Sequence, residues 1–450
     1  MWSRIAGTAV EGSYRSEARS IPVGNSSNSS SDCTPIPPAR VRRGAMVLAS
    51  FAIFCLIATV CQAQTHEVVC SAGSGTFVSE FHTGVKVQVT AARSGELATR
   101  ACKAELNWNK QKLIISPNAP RIDVDAFGVD LGMGVPVVAL QVKKTTADCC
   151  MSYQIYSLQK PPRLLRTITG ADSFSAVDAD LDGRVEIWAD DSAAVDGFER
   201  LDLGQLEFAP PIVLRFTNGQ LLDVSAEFQP YFDQQIAKVR AELDARQLRN
   251  FKNSDGSVDV QDVKLKVLEI VWSYVYSGRE PQAWQSLADM WPASDVDRIR
   301  AAILQARSRG IRSQVDGVSA VVPATRKEHA EIFDGIRPAG GGVPTVIPMG
   351  RSGRARMLDS INDAAQKKPD LILPEPIQLW APISMGASQE VVLDLVVDSA
   401  GKVRSATPVD TTKAMDADLL DATTQWKFIP AFKDGRAVAS RVRIAVSPER

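Results

Sequence analysis

The sequence predicts an α+β protein of several domains. It has a β-rich N-terminal domain, a helical middle region and a small C-terminal domain with one helix on an antiparallel sheet. Three observations lead there. Short apolar-alternating runs dominate from about 65 to 225, and apolar stripes at helical spacing fill 226–315. The last 60 or so residues switch from period two to period 3.6 and back. A chain of 450 residues with 45% apolar and 23% charged side chains has material for more than one core. Its formal charge of -1 offers no electrostatic footprint for nucleic acid or an anionic membrane.

Residues 1–39 are rich in Ser, Asn, Pro and Arg, as in Gly24-NSSNSSS, and offer little for a core, so they read as a disordered tail. Met46 is an alternative start that would leave this tail untranslated. Residues 40–64 carry Arg40, Arg42 and Arg43, then the apolar run Ala45-MVLASFAIFCLIATVCQA ending at Ala63. That is the pattern of an export signal cleaved after Ala63, and the run is also just long enough for an uncleaved membrane anchor. Either way the remainder faces the periplasm.

The β-rich domain, 65–225, shows strand runs such as Val85-KVQV, Val137-VALQV and Pro211-IVLRF. Four cysteines follow the export signal: Cys70, Cys102, Cys149 and Cys150. In an oxidising compartment they read as structural disulfides rather than metal ligands, with three pairings open and the outward one, adjacent Cys149 and Cys150 to Cys70 and Cys102, favoured.

The sharpest chemical motif is Asp178-ADLDGRVEIWADD. Asp178, Asp180 and Asp182 alternate, Gly183 permits a tight turn, and Glu186 stands at loop position nine. Alternating carboxylates around a glycine turn aim hard oxygens at one point, which suits calcium. Ala189 occupies the twelfth position, where an EF-hand needs a bidentate glutamate, so the loop is not an EF-hand. It looks like the Asp-x-Asp-x-Asp-Gly-x-x-Asp/Glu hairpins of FG-GAP-type propeller repeats. That resemblance implies Asp178, Asp180, Asp182 and Glu186 as calcium ligands. Asp123-Val-Asp125 reads as a degenerate second copy. The alternative is a solvated acidic turn without metal.

In 226–315 the stripes Ile236/Val239/Leu243, Val260/Val263/Val267/Val271, Trp284/Leu287/Trp291 and Val296/Ile299/Ile303 predict three or four antiparallel helices. Gly278 and Gly310 act as stops. The Pro/Gly-rich stretch 316–375 reads as a linker. If mostly extended, it could reach roughly 100 Å.

The C-terminal domain, 376–450, begins its clear signal at Val391, Leu393, Leu395 and Val397, which alternate with more polar neighbours. Gly401 turns the chain into a returning strand from Val403 to Val409. Leu419, Ala422, Thr423 and Trp426 form a helical stripe, with Asp416 or Asp418 as N-cap. Asp434-Gly435 marks a hairpin turn before the strand of Val442, Ile444 and Val446.

These residues resemble the C-terminal domain of the TonB family. The family's ordered pattern appears as Gly401-Lys402-Val403, Leu419-Leu420-Asp421-Ala422, Trp426-Lys427-Phe428, Pro430-Ala431, Asp434-Gly435-Arg436 and Arg441-Val442-Arg443. The resemblance covers about the last 65 residues. It implies a protein-binding module that contacts an envelope protein, such as an outer-membrane transporter in TonB-type transport. Where the family carries Tyr-Pro before its first strand, this chain has Leu379-Trp380-Ala381-Pro382. The family's motors also use a Ser/His pair in the apolar helix, whereas this segment has Ser50 and no His, favouring an accessory or signalling role.

The three histidines, His66, His82 and His329, are scattered, and no nucleophile elbow or phosphate-cradling loop occurs, so the chain is expected not to be an enzyme. The alternative function is a calcium-stabilised extracytoplasmic β-domain that binds a ligand and uses its C-terminal domain for assembly.

Overall fold

A computed structural model describes residues 69–73, 75–94, 99–146, 150–200, 208–254, 261–319, 332–334, 345–349, 353–357, 371–379, 390–410 and 417–448. The tail, the export segment, Cys149, His66, His329, Trp380 to Pro382 and Asp416 lie outside the described residues. The chain divides at Ala63/Gln64, and everything described belongs to the second unit. The protein is α+β, with antiparallel sheets and seven α-helices among the described residues.

After β1 (Cys70–Ser71) come three meanders in strict chain order. The first joins β2 (Phe77–Glu80), β3 (Lys86–Ser94), β4 (Thr99–Trp108) and β5 (Gln111–Ala119). The second joins β6 (Arg121–Val129), β7 (Val137–Lys143), β8 (Met151–Ser157) and β9 (Leu164–Ala171), with β1 on its β6 edge. The third joins β10 (Phe174–Val177), β11 (Glu186–Asp190), β12 (Pro211–Thr217) and β13 (Gln220–Asp223). Four antiparallel strands in sequence order are the unit of a propeller blade. The alternation read from the sequence is the reason the strands form: Val85, Val87 and Val89 are all buried on one side.

Cys70 and Cys102 bond each other, tying β1 to β4 with Cα atoms 5.9 Å apart. This corrects the expected pairing outward to Cys149 and Cys150. β6 brings β1 alongside the first meander, a long-range arrangement that sequence spacing does not encode. Cys150 is also disulfide-bonded.

A short helix α1 (Ser192–Val195) precedes the main helical layer of α2 (Gln229–Glu242), α3 (Ala245–Lys252), α4 (Gln261–Tyr276), α5 (Glu280–Met290) and α6 (Val296–Arg309). Five helices stand where three or four were expected, because Leu243 and Asp244 break the first stripe and Asp244 caps α3 by accepting from the Gln247 N–H. α4 is buried on most of its surface, including Val263, Val267, Val271 and Trp272. The layer shares one core with the second and third meanders, from Tyr153 and Phe174 to Trp272 and Trp291. It therefore acts as a buttress for those sheets. Strand β14 (Gly317–Val318) then pairs parallel to β13.

The described parts of 316–375 are not a free tether. β15 (Phe333–Asp334), β16 (Thr345–Met349), β17 (Gly353–Met357), β18 (Leu371–Ile372) and β19 (Glu375–Gln378) all pair with other strands. Proline and glycine removed the sequence signal for these strands. β15, β17, β18 and β19 find their partners in the C-terminal module, and β16 pairs with β17, which satisfies their backbone groups instead.

That module comprises β20 (Val391–Val397), β21 (Val403–Pro408), α7 (Ala417–Thr423), β22 (Lys427–Ile429), β23 (Ala431–Lys433), β24 (Arg436–Val438) and β25 (Ser440–Pro448). β25 lies between β20 on one side and β17 on the other. Leu393, Leu395, Val442, Ile444, Trp426 and Phe428 form its core. Burial of each large side chain is worth roughly 1.5–3 kcal/mol. Asp434 and Gly435 take φ of 50° and 76°, the paired positive values of a type I′ hairpin. Gly401 is required twice over: its φ is +81°, and a Cβ there would stand 1.9 Å from the Phe428 carbonyl oxygen.

Candidate functional site

The first connection of each meander (81–85, 130–136 and 178–185) faces one cleft of about 990 Å³, and the C-terminal module forms its other wall. The acidic loop is the third of these connections. Asp178 follows β10 directly and is fully buried. Its Oδ1 accepts from the Asp182 N–H at 3.0 Å and its Oδ2 from the Gly183 N–H at 3.0 Å. Leu181 and Gly183, with φ of 56° and 83°, fold the loop back so that these N–H groups point inward.

Oxygens of Asp178, Asp180 and Glu186 lie within 4.8 Å of one another. The Asp182 carboxylate is outside this group and pairs with the Arg184 guanidinium. Glu186 accepts from the Ala179 N–H at 3.1 Å and from Arg215 Nη1 at 3.3 Å. Burial foremost, with the nearby Asp180 and Asp182 charges, pushes Glu186 up to about 8. Burial also raises Asp178, partly offset by the Ser399 hydroxyl. Three carboxylates crowded in a poorly hydrated loop would gain from a cation between them, and they could hold a metal ion. The Arg215 guanidinium beside Glu186 already supplies part of that compensation.

The C-terminal module reaches into this loop. Ser399 Oγ donates to Asp178 Oδ2 at 2.9 Å, and the Asp178 N–H donates to Asp398 Oδ2 at 3.1 Å. Asp398 Oδ1 accepts from the Ala400 and Lys402 N–H groups, and burial lifts its pKa to about 6. Arg404 Nη2 donates to the Ala179 carbonyl at 3.1 Å. Thus the Gly401 turn sits directly on the acidic loop.

Asp123-Val-Asp125 is not a second cation loop. Both residues lie within β6, and their carboxylates take lysines from the C-terminal module. Lys427 Nζ donates to Asp123 Oδ1 at 3.1 Å and Oδ2 at 3.0 Å, and also bonds the Val124 carbonyl. Lys402 Nζ reaches Asp125 Oδ1 at 2.6 Å. Asp125 Oδ2 further accepts from Tyr153 Oη at 2.7 Å and the Ala176 N–H at 2.8 Å. The counterpart of Asp178 in the second meander is Asp130, the residue directly after β6. Its Oδ1 gathers the N–H groups of Gly132, Met133 and Gly134 at 2.9, 2.7 and 3.0 Å.

Asp398, Ser399, Lys402 and Lys427 escaped the sequence reading as functional residues. One signal existed for Lys427: a lysine between Trp426 and Phe428, both core residues, must bury its stem or find a buried acid. Of the histidines, His82 alone is described, its ring tilted 44° to that of Phe81 at the cleft with centroids 3.9 Å apart. No family model, no curated protein and no solved structure matches the chain. Its function is therefore read from its own residues and geometry.

Proposed function

We propose that the chain is a cell-envelope protein, exported or anchored through residues 40–64, whose C-terminal sheet binds another envelope protein by strand addition. The TonB resemblance makes an outer-membrane transporter the partner of choice. One observation carries this reading: the sheet already accepts extended segments from elsewhere in the chain, β17 antiparallel and β15 parallel, both along β25. At its opposite side, beyond the single bridge from Lys402 to Lys427, β21 carries no outer strand among the described residues. An unpaired edge of this kind is what β-augmentation uses.

The role is binding, not catalysis, and accessory rather than force-generating, because the apolar segment lacks a histidine. No helix among the described residues is long and apolar enough to cross a membrane. The test is a photo-crosslinking residue at exposed Ser405 on β21, in the intact protein in cells. The expected product is a covalent adduct with an outer-membrane transporter, identified by mass. An unlinked protein, in cells where the transporter is expressed, would remove the proposal.

A second reading is a calcium-stabilised β-domain that binds a ligand, with the C-terminal module serving assembly. The convergence of Asp178, Asp180 and Glu186 favours it, since carboxylate oxygens at one point suit calcium. Calcium should then raise the melting temperature of the intact protein, and Asp180→Ala should abolish the rise. Indifference to chelator would dismiss it.

A further inference from the structure

The cleft has a chemistry of its own, separate from the acidic loop's carboxylate group and from the β21 edge. At about 990 Å³ it is at the upper end of the size that encloses small molecules. Its walls are apolar: Phe81, Leu131, Val135 and Phe216 from the meanders, and Ile429 and Phe432 from the C-terminal module. Ile372 also lines it while remaining 66% exposed, the most exposed large apolar side chain among the described residues. Three cross-strand neighbours, Ile372, Phe432 and Ala437, form one continuous stripe of that wall.

The charges sit at the rim and are unbalanced. Arg184 is already paired with Asp182. Among the lining side chains that leaves Glu80, Asp130 and Glu375 against one guanidinium, Arg436, with the Lys160 ammonium behind Gly84 as the other cation near Glu80. Glu80 and Glu375 have no ion-pair partner among the described residues. Apolar and aromatic walls beneath an acidic rim match a molecule with an apolar body and a positive head. The aromatic faces favour the same sign of charge.

We propose that this cleft is a binding site for a small amphipathic cation, its apolar body between the two walls and its positive group at Glu80 and Glu375. Body burial supplies most of the affinity, because it removes apolar surface from water. The rim carboxylates are exposed, so their contribution is selectivity of about tenfold.

The experiment uses the intact protein and the neutral apolar dye N-phenyl-1-naphthylamine as reporter. Dodecylammonium and dodecanoate, both below their micellar concentrations, serve as competitors of equal chain length. Saturable dye binding is expected, with dodecylammonium displacing it at about one-tenth the concentration that dodecanoate requires. Ala437→Trp, which projects bulk into the cleft, should abolish dye binding. Ile372→Asn, at an exposed position that tolerates polarity, should weaken it even if the tryptophan variant fails to fold. Glu80→Gln combined with Glu375→Gln should leave dye binding intact and erase the preference for the cation. Absent dye binding, binding indifferent to both cleft variants, or equal competition by the carboxylate would each overturn the proposal. So would a cation preference that survives removal of both glutamates.

Discussion

The second and third meanders each bury carboxylates near their first strand, and they neutralise them in opposite ways. On β6, Asp123 and Asp125 face Lys427 and Lys402, donated by a segment some 300 residues away in sequence. After β10, Asp178, Asp180 and Glu186 crowd together, with backbone N–H groups, Ser399 and the partial help of Arg215. Buried charges must be paired, hydrogen-bonded or protonated. The first site is complete as the chain folds. The second meets the requirement by proton uptake or by a cation, which makes it the chemically responsive member of the pair.

Breaking the complete site should cost most. Lys427→Ala leaves Asp123 buried without its cation and should lower unfolding stability by about 3–5 kcal/mol, read from urea denaturation. Combining Lys427→Met with Asp123→Leu should restore most of that loss, because the penalty comes from the stranded charge.

Next in size is the pH response of the crowded site. Glu186 is lifted from 4.5 to about 8, so the fold prefers its protonated form. The stability this contributes is complete below pH 4.5 and is lost as pH rises through about 8. Asp398, lifted to about 6, acts in the same sense at lower pH. Without divalent cations the melting temperature should therefore fall between pH 5 and 8. Glu186→Gln should flatten that slope, and a bound cation, which favours the ionised form, should oppose it.

Lys402→Ala should cost less than Lys427→Ala, about 1.5–3 kcal/mol, because Asp125 keeps its bonds from Tyr153 and Ala176. Smallest of all is Asp182→Asn. It removes an ion pair whose arginine is half exposed, and should change stability by less than about 1 kcal/mol. The cation response of the loop should survive it, because Asp182 stands outside the converging group.

Local patterns were readable and distant pairings were not. The alternation of Val391 to Val397, the stripe of Leu419, Thr423 and Trp426, and the Asp434-Gly435 turn all describe contacts within a few residues. The alternation and the turn appear where their period placed them, whereas the helix ends at Thr423, short of the expected Trp426, whose ring still joins the core beside Leu419. Asp178, Asp180 and Glu186 were legible for the same reason, as one loop supplies all three. Asp182 shared their spacing, yet Arg184 two residues on claims its carboxylate. Asp123 and Asp125 were misread because alternating acids look alike in a loop and on a strand. Only the tertiary fold supplies the lysines that distinguish them. The strands β16 and β17 were hidden by proline and glycine, whose local preference is overridden by pairing of β17 with β25 and of β16 with β17.

The two lysines also determine what dissection of the chain can mean. A fragment ending before residue 376 would lack both, leaving Asp123 and Asp125 with no cation where the full chain holds each at most 1% exposed. The reciprocal fragment would carry Lys402 and Lys427 as two uncompensated positive charges beside its own core. Separately expressed halves should therefore associate on mixing, read as a complex by size-exclusion chromatography, and Lys402→Ala with Lys427→Ala should weaken that association.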